Sequence, residues 1–458
     1  MSKFSKLSIV MIIAALAASV PAAEAATITA ASCSGSDVQS AINSASNGDT
    51  VAVPSGSCSW SGVAISNKSI ALQGAGVDKT NITDSSGSGA LSISSSSSSI
   101  IDVSGFTFVN SSGNGNGVVQ SSGVADHVGF RIHHNKFVLS ASVTTRGIGV
   151  YNGYGLIDHN TFNATGSGSI QSISIWGSSD GTDGGFTPWT RPLTLGTNKA
   201  VYIEDNTFTY SSQSEDSIDA YGGARLVVRH NAFNNISVGF HGMDSGNRRS
   251  AHSFEIYGNT FTNNSSTHLR ALTVRGGTGV VYNNTYGGSG ASWYGVTLLN
   301  YRSCPPLDQS AWQTCNGTNY TLGSMDLSAN ASRVAGTTGT VKWCSNARDT
   351  RCTTDSNCSG GGTCTTYLDG NGSLGYACRD QVGRTTNQAL APLYVWNNGS
   401  AGVGTYDGGT GCSISSIIAL NRDYYNGTAM PGYTAYNYPH PLQVSQTGPT
   451  APRNLTIQ

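Results

Sequence analysis

The sequence predicts an all-β chain wound into a stack of parallel coils, a solenoid in which each repeat is one turn. Three observations predict it. A short apolar strand followed by Asn, a spacer and an aromatic recurs: "HHNKF" ending at Phe137, "DHNTF" at Phe162, "EDNTF" at Phe208, "RHNAF" at Phe233, "GNTF" at Phe261 and "NNTY" at Tyr286. The asparagines Asn135, Asn160, Asn206, Asn231, Asn259 and Asn284 are 25, 46, 25, 28 and 25 residues apart. Between them lie Gly- and Ser-rich turns, with short strands and no convincing helix. The interval of 46 reads as two periods of about 23, with one marker lost between Asn160 and Asn206. Leucine-rich repeats share the period but not the leucine pattern, and propeller blades need about 40 residues each.

Each element of the marker has a physical reason. Coils stack about 4.8 Å apart, so equivalent positions sit above one another. Asn tolerates the left-handed conformation expected at a coil corner, and stacked amides can bond along the axis. The aromatic two residues later points inward and stacks on its equivalents. In "FRIHHNKF", "VYIEDNTF" and "LVVRHNAF" the preceding residues alternate in and out, as strand residues do. His134, His159 and His230 then read as outward surface residues.

Composition narrows the class. Net charge is −1 and 11% of the 458 residues are charged, which argues against a basic nucleic-acid binder and against a polyacidic tail. The first 25 residues read as a targeting segment: Lys3 and Lys6, then "LSIVMIIAALAASV", then "AEA" at 23–25, so the mature chain is expected to begin near Ala26. No later run is apolar enough to span a bilayer. The expected location is secreted, extracellular, periplasmic or cell-surface. Ten cysteines fit an oxidising compartment. Cys33–Cys58 and Cys304–Cys315 are plausible local pairs, and residues 352–364 look like a small knotted loop.

The organisation that follows is a signal peptide at 1–25, an N-terminal cap and first coil at 26–65, and parallel coils at 66–300. A Cys-rich insertion region follows at 301–380, closing coils at 381–445 and a Pro/Thr tail at 446–458. In the cap, Ser36 or Asp37 can start a helix whose apolar face is Val38, Ala41, Ile42 and Ala45. In "IIALNRDYYNG", Asn421 takes the ladder role.

The period, the "HNxF" ladder, the Gly-rich turns and the "GSDVQSAINSASNGDTVAVPSGS" cap resemble the right-handed parallel β-helix proteins of the pectate-lyase-like superfamily. The resemblance covers roughly 30–300 well and the remainder loosely. It implies a right-handed parallel β-helix with an N-terminal capping helix and disulfide-pinned loops toward the C-terminus. The superfamily includes polysaccharide lyases, glycoside hydrolases and non-catalytic surface proteins, so activity must be read from residues.

Counting from the ladder locates a candidate site. Asp216 and His241 lie ten residues after Asn206 and Asn231, and Asp219 and Asp244 thirteen after them. Equal wraps would stack Asp219 on Asp244 and Asp216 on His241, with Arg270 one coil further and Arg275 close by. Stacked carboxylates repel unless calcium, a shared proton or an arginine neutralises them. The resemblance implies a use for such a cluster. Calcium on Asp216, Asp219 and Asp244, or an arginine, would neutralise a uronate carboxylate, and Arg270, His241 or Arg275 would remove the neighbouring proton. Trp189 and Arg191 in the "SDGTDGGFTPWTRP" loop, with Arg248 and Arg249, would bind the polymer. The competing arrangement is structural ion pairing, Asp244 with Arg248 or Arg249 and Asp219 with Arg225. The chain has neither a contiguous paired-Asp calcium motif nor a Lys-and-Arg pair like that of alginate and chondroitin lyases.

The expected function is therefore a secreted carbohydrate-active protein, lyase-like if catalytic, cleaving an acidic uronate polymer by β-elimination. The alternatives are a non-catalytic polysaccharide-binding, adhesin or self-assembling scaffold protein, and a glycoside hydrolase. The expected partner is an acidic glycan, with self-association a further possibility and no nucleic acid.

Overall fold

The computed structural model describes residues 25–84, 86–124, 127–177, 191–241, 250–299, 342–345, 347–365, 390–399 and 418–445, with short pieces at 320–321, 368–369, 382–383, 385 and 402–406. The chain is an all-β parallel solenoid. One face is a twelve-stranded sheet that runs from Thr27–Thr29 to Tyr424–Asn426. A second face carries the aromatic of each marker, as in Lys136–Leu139 and Thr161–Ala164. A third carries Val119–Ser122, Thr145–Tyr151 and Ile170–Trp176. The strand Thr207–Tyr221 runs through both of the last two faces, so their strands form one sheet.

The ladder forms as a continuous amide column. Each rung's backbone N–H donates to the next rung's Oδ1, from Asn135→Asn160 at 3.0 Å to Asn284→Asn398 at 3.1 Å. Each Nδ2 donates to the same oxygen, as from Asn160 to Asn206 at 3.1 Å. Beside it the rings of Phe137, Phe162, Phe208, Phe233 and Phe261 stack with centroids 4.7–4.8 Å apart. That is the coil spacing of parallel strands.

Four expectations change here. No marker is lost: Asn160 and Asn206 are adjacent rungs, because Tyr154–Asp158 pairs directly with Val201–Glu204. The interval of 46 is one coil carrying an insertion after Trp176. The left-handed residue is not the asparagine but the one before it, with φ of 51° at His134, 53° at His159, 59° at Asp205 and 57° at His230. The preceding residue takes the corner and leaves the asparagine amide to bond along the stack. The final rung is Asn398, not Asn421, whose backbone turns at φ 64° and donates to the Tyr424 carbonyl. The helix Gly35–Ser44 is capped by Ser34, whose Oγ accepts from the Asp37 N–H at 3.2 Å, rather than by Ser36 or Asp37.

Val38, Ala41, Ile42 and Ala45 bury as expected. Gln39 of that helix accepts from the Ala64 N–H and donates to the Ala64 carbonyl, so the cap satisfies the first edge of the third face. Cys33–Cys58 forms; Cys352–Cys364 closes the 352–364 loop, and Cys344–Cys358 ties that loop to the strand Lys342–Cys344. Cys304 and Cys315 lie outside the described residues, as does the tail 446–458.

Residues 433–443 run back along the outside of the twelve-stranded sheet as a strap. Arg229, fully buried, bonds Glu204 through Nε at 2.5 Å and donates to the carbonyls of Tyr436 and Asn437 at 2.8 and 2.7 Å. Glu204 Oε1 accepts from the His440 N–H and from Gln443 Nε2, while the Tyr438 and Tyr433 hydroxyls donate to Asp205 and Glu255. Buried charges on this face thus find partners in the strap.

Candidate active site

On the third face one outward column reads Gln120, Gly149, Ser174, Asp219, Gly239, Thr273 and Thr297 over successive coils. Asp219 therefore stacks on Gly239, and equal wraps do not hold here. Nine residues separate Thr209 from Ile218, while four separate their partners Asn234 and Val238. The five extra residues form an irregular stretch in Thr207–Tyr221 in which Asp216 takes φ 67°. Asp216 folds over Gly239: a Cβ there would collide with Asp216 Oδ1. Glycine at 239 is thus what admits a second carboxylate beside Asp219.

The structure brings His241, Asp219, Asp216 and Arg275 together. His241 Nδ1 lies 2.7 Å from Asp219 Oδ1. Gln171 Nε2 donates to Asp219 Oδ2 at 2.5 Å, and Gln171 Oε1 accepts from Arg146 Nε at 2.5 Å and Ser174 Oγ at 2.9 Å. Asp219 is buried, whereas the His241 side chain is 27% exposed. Burial alone would lower the imidazole pKa. The Asp219 carboxylate outweighs it, helped by Asp216 and opposed by Arg275, so the net shift is upward. Asp219 on Nδ1 selects the tautomer whose lone pair is on Nε2.

The flanking column is aromatic. Tyr151 stacks on Trp176 at 4.3 Å, Trp176 meets Tyr221 edge-on at 4.9 Å, and the Arg146 guanidinium lies 5.0 Å over Trp176. Arg191 lies at the next corner, lining a small cavity with Trp176 and Arg225. Arg225 donates to Thr194 Oγ1, while Asp219 engages His241 and Gln171, so the expected Asp219–Arg225 pair gives way to other partners. Arg270 shares the strand Leu269–Val274 with Thr273 but stands three residues away, paired in register with Tyr294. Trp189, Asp244, Arg248 and Arg249 lie outside the described residues.

Counting charged residues alone overlooked Arg146 and Gln171. Both lie eleven residues after a rung, Asn135 and Asn160, and they pair in register. Calcium fits Asp219 poorly, since His241 and Gln171 occupy both of its oxygens. Among the described residues, three potential metal ligands converge only at Cys344, Cys352 and Cys358, all disulfide-bonded.

No protein-family model matches the chain, and no curated protein is significantly similar to it. Among solved structures, an alginate lyase from Paenibacillus sp. str. FPU-7 is similar at 15% identity and TM-score 0.34, over 59% of this chain and 99% of that one. ORF18 of Geobacillus virus E2 is similar at 16% identity and TM-score 0.32, over 58% of this chain and 57% of that one. At these scores neither likeness bears on what this chain does.

Proposed function

We propose that the chain is an exported polysaccharide lyase that cleaves an acidic uronate polymer by β-elimination at the Asp219–His241 cluster. The observation that carries the reading is the buried carboxylate on His241 Nδ1, which leaves Nε2 to act as a general base. In this reading Arg275 neutralises the uronate carboxylate and makes the proton on the adjacent carbon removable. His241 Nε2 takes that proton, its electrons form the new C=C bond, and the C–O bond to the leaving sugar breaks. The departing oxygen is reprotonated by the imidazolium or by water. Hydrolysis by two carboxylates is less well served, because Asp219 is buried with both oxygens bonded.

The test is incubation of the mature protein with a panel of uronate polymers, with and without calcium, following the ultraviolet absorbance of unsaturated product. Product lost in His241→Ala and Arg275→Ala supports the lyase. No product on any polymer, with glycan binding or self-assembly retained, selects the scaffold reading instead.

A further inference from the structure

The corner between the twelve-stranded sheet and the second face carries a cluster that the Asp219 site does not use. His133 ends the strand Val128–His133, and His134 follows it with φ 51°. The left-handed turn breaks the in–out alternation of a strand, so neighbouring side chains that would diverge come together. Their Nδ1 atoms lie 2.7 Å apart and their rings are nearly perpendicular, at 86°. His133 Nε2 lies 3.0 and 3.1 Å from the two oxygens of Asp102, one coil away. On the next coil His159 stacks on His134, with centroids 4.9 Å apart and 2° between planes, and its own Nδ1 is turned to Asp158 at 2.9 Å.

We propose that His133 and His134 form a binding site for a borderline divalent transition ion such as Zn²⁺, Ni²⁺ or Cu²⁺, held through both Nδ1 atoms and completed by water. Two observations carry it. Asp102 keeps the His133 proton on Nε2, so the Nδ1 lone pair faces His134. A carboxylate on the far nitrogen is the usual support of a metal-ligating imidazole. Two nitrogens at about 2.0–2.1 Å from a tetrahedral ion sit roughly 3.3 Å apart, so the 2.7 Å pair opens by about 0.6 Å to accept one. In the metal-free pair the His134 Nδ1–H bridges the two rings. On binding, the ion replaces that hydrogen and the proton moves to His134 Nε2. His159 buttresses the His134 ring.

The experiment is calorimetric titration of the mature, tag-free chain with Zn²⁺, together with electron paramagnetic resonance of the Cu²⁺ form. One ion per chain is expected, with hyperfine coupling to two imidazole nitrogens. His133→Gln and His134→Asn should each weaken binding at least about tenfold, and Asp102→Asn roughly 10–100-fold. Asparagine at 134 retains the left-handed corner, and circular dichroism checks the fold. His268→Ala, on an exposed corner elsewhere, should leave affinity unchanged. Equal binding by the wild type and the His133→Gln/His134→Asn double variant, or no binding by the wild type, overturns the proposal.

Discussion

Asp219 and His241 meet at 2.7 Å although one lies thirteen residues after its ladder asparagine and the other ten. The five extra residues of the Asp219 coil bring them together, by shifting Asp219 level with Gly239, two residues before the histidine. The candidate chemistry therefore depends on a local irregularity in an otherwise regular stack, and each part of that irregularity can be tested.

Asp219→Asn keeps the shape of the side chain and removes its charge. The carboxylate holds the His241 pKa above its ordinary value, so the variant should titrate at lower pH. Imidazole NMR resonances followed against pH measure this directly. Turnover of a responsive polymer should fall by about a hundredfold or more, the scale of general acid–base catalysis. A His241 titration unchanged by the substitution would remove Asp219 from its role.

Gly239→Ala forces Asp216 off the column, because the new methyl group occupies the place of its Oδ1. Overpacking of this kind costs about 1–3 kcal/mol, so the fold should survive, with a modest loss in urea unfolding. Any activity should fall further than the stability loss explains. Gly402→Ala, where a Cβ meets nothing within 4 Å, is the matched control.

Asn206→Leu should cost more than about 3 kcal/mol in chemical denaturation. The Asn206 amide serves the Asn160 N–H and Nδ2, the Ile157 and Glu204 carbonyls and Asn231 Oδ1, all buried. Each buried partner left unpaired costs about 1–3 kcal/mol.

Arg229→Met leaves Glu204 buried without its ion partner and takes donors from the Tyr436 and Asn437 carbonyls. A loss of about 3–5 kcal/mol is expected, with protease cleavage appearing in the strap. Adding Glu204→Leu should recover only part of it, since the strap carbonyls still lack their donors.

The strap also predicts acid sensitivity. Burial, then Arg229, pushes His440 down to about 4, and burial pushes His252 down to about 3, with Arg225 and Arg191 adding to it. Both are lowered, so the unfolded chain binds more protons below about pH 6.5, and stability falls as pH drops from there through these values. Full protonation of His440 in the unfolded state is worth about 3 kcal/mol. The raised groups act oppositely. The His241–Asp219 pair stabilises below about pH 6.5 and is lost as pH rises through the folded value, and Glu204 and Glu255, raised by burial, also favour the folded state in acid. Glutamine can still accept from the Leu442 N–H at the His440 position. His440→Gln should therefore flatten the acid limb of a Tm-against-pH curve relative to wild type. Parallel curves for the two proteins would exclude His440 as a source of the loss.

The sequence by itself determined the stack, its ladder and its inner aromatic column, because these depend on periodicity. A side chain repeated at near-constant spacing must meet its equivalents when coils rise by one strand width, and both the Phe137–Phe261 stack and the Asn135–Asn284 column do so. It also placed Asp216, Asp219, His241 and Arg275 in one neighbourhood, since five residues of slippage is small against a coil of 25. What only the tertiary structure decided is which atoms touch. Irregular coil lengths carry no periodic signal: the insertion after Trp176 looked like a missing rung, and the irregular stretch before Asp219 was silent. Partners remote in the chain, such as Arg229 with Asn437 or His133 with Asp102, are set by close packing in three dimensions, which spacing along one dimension does not encode.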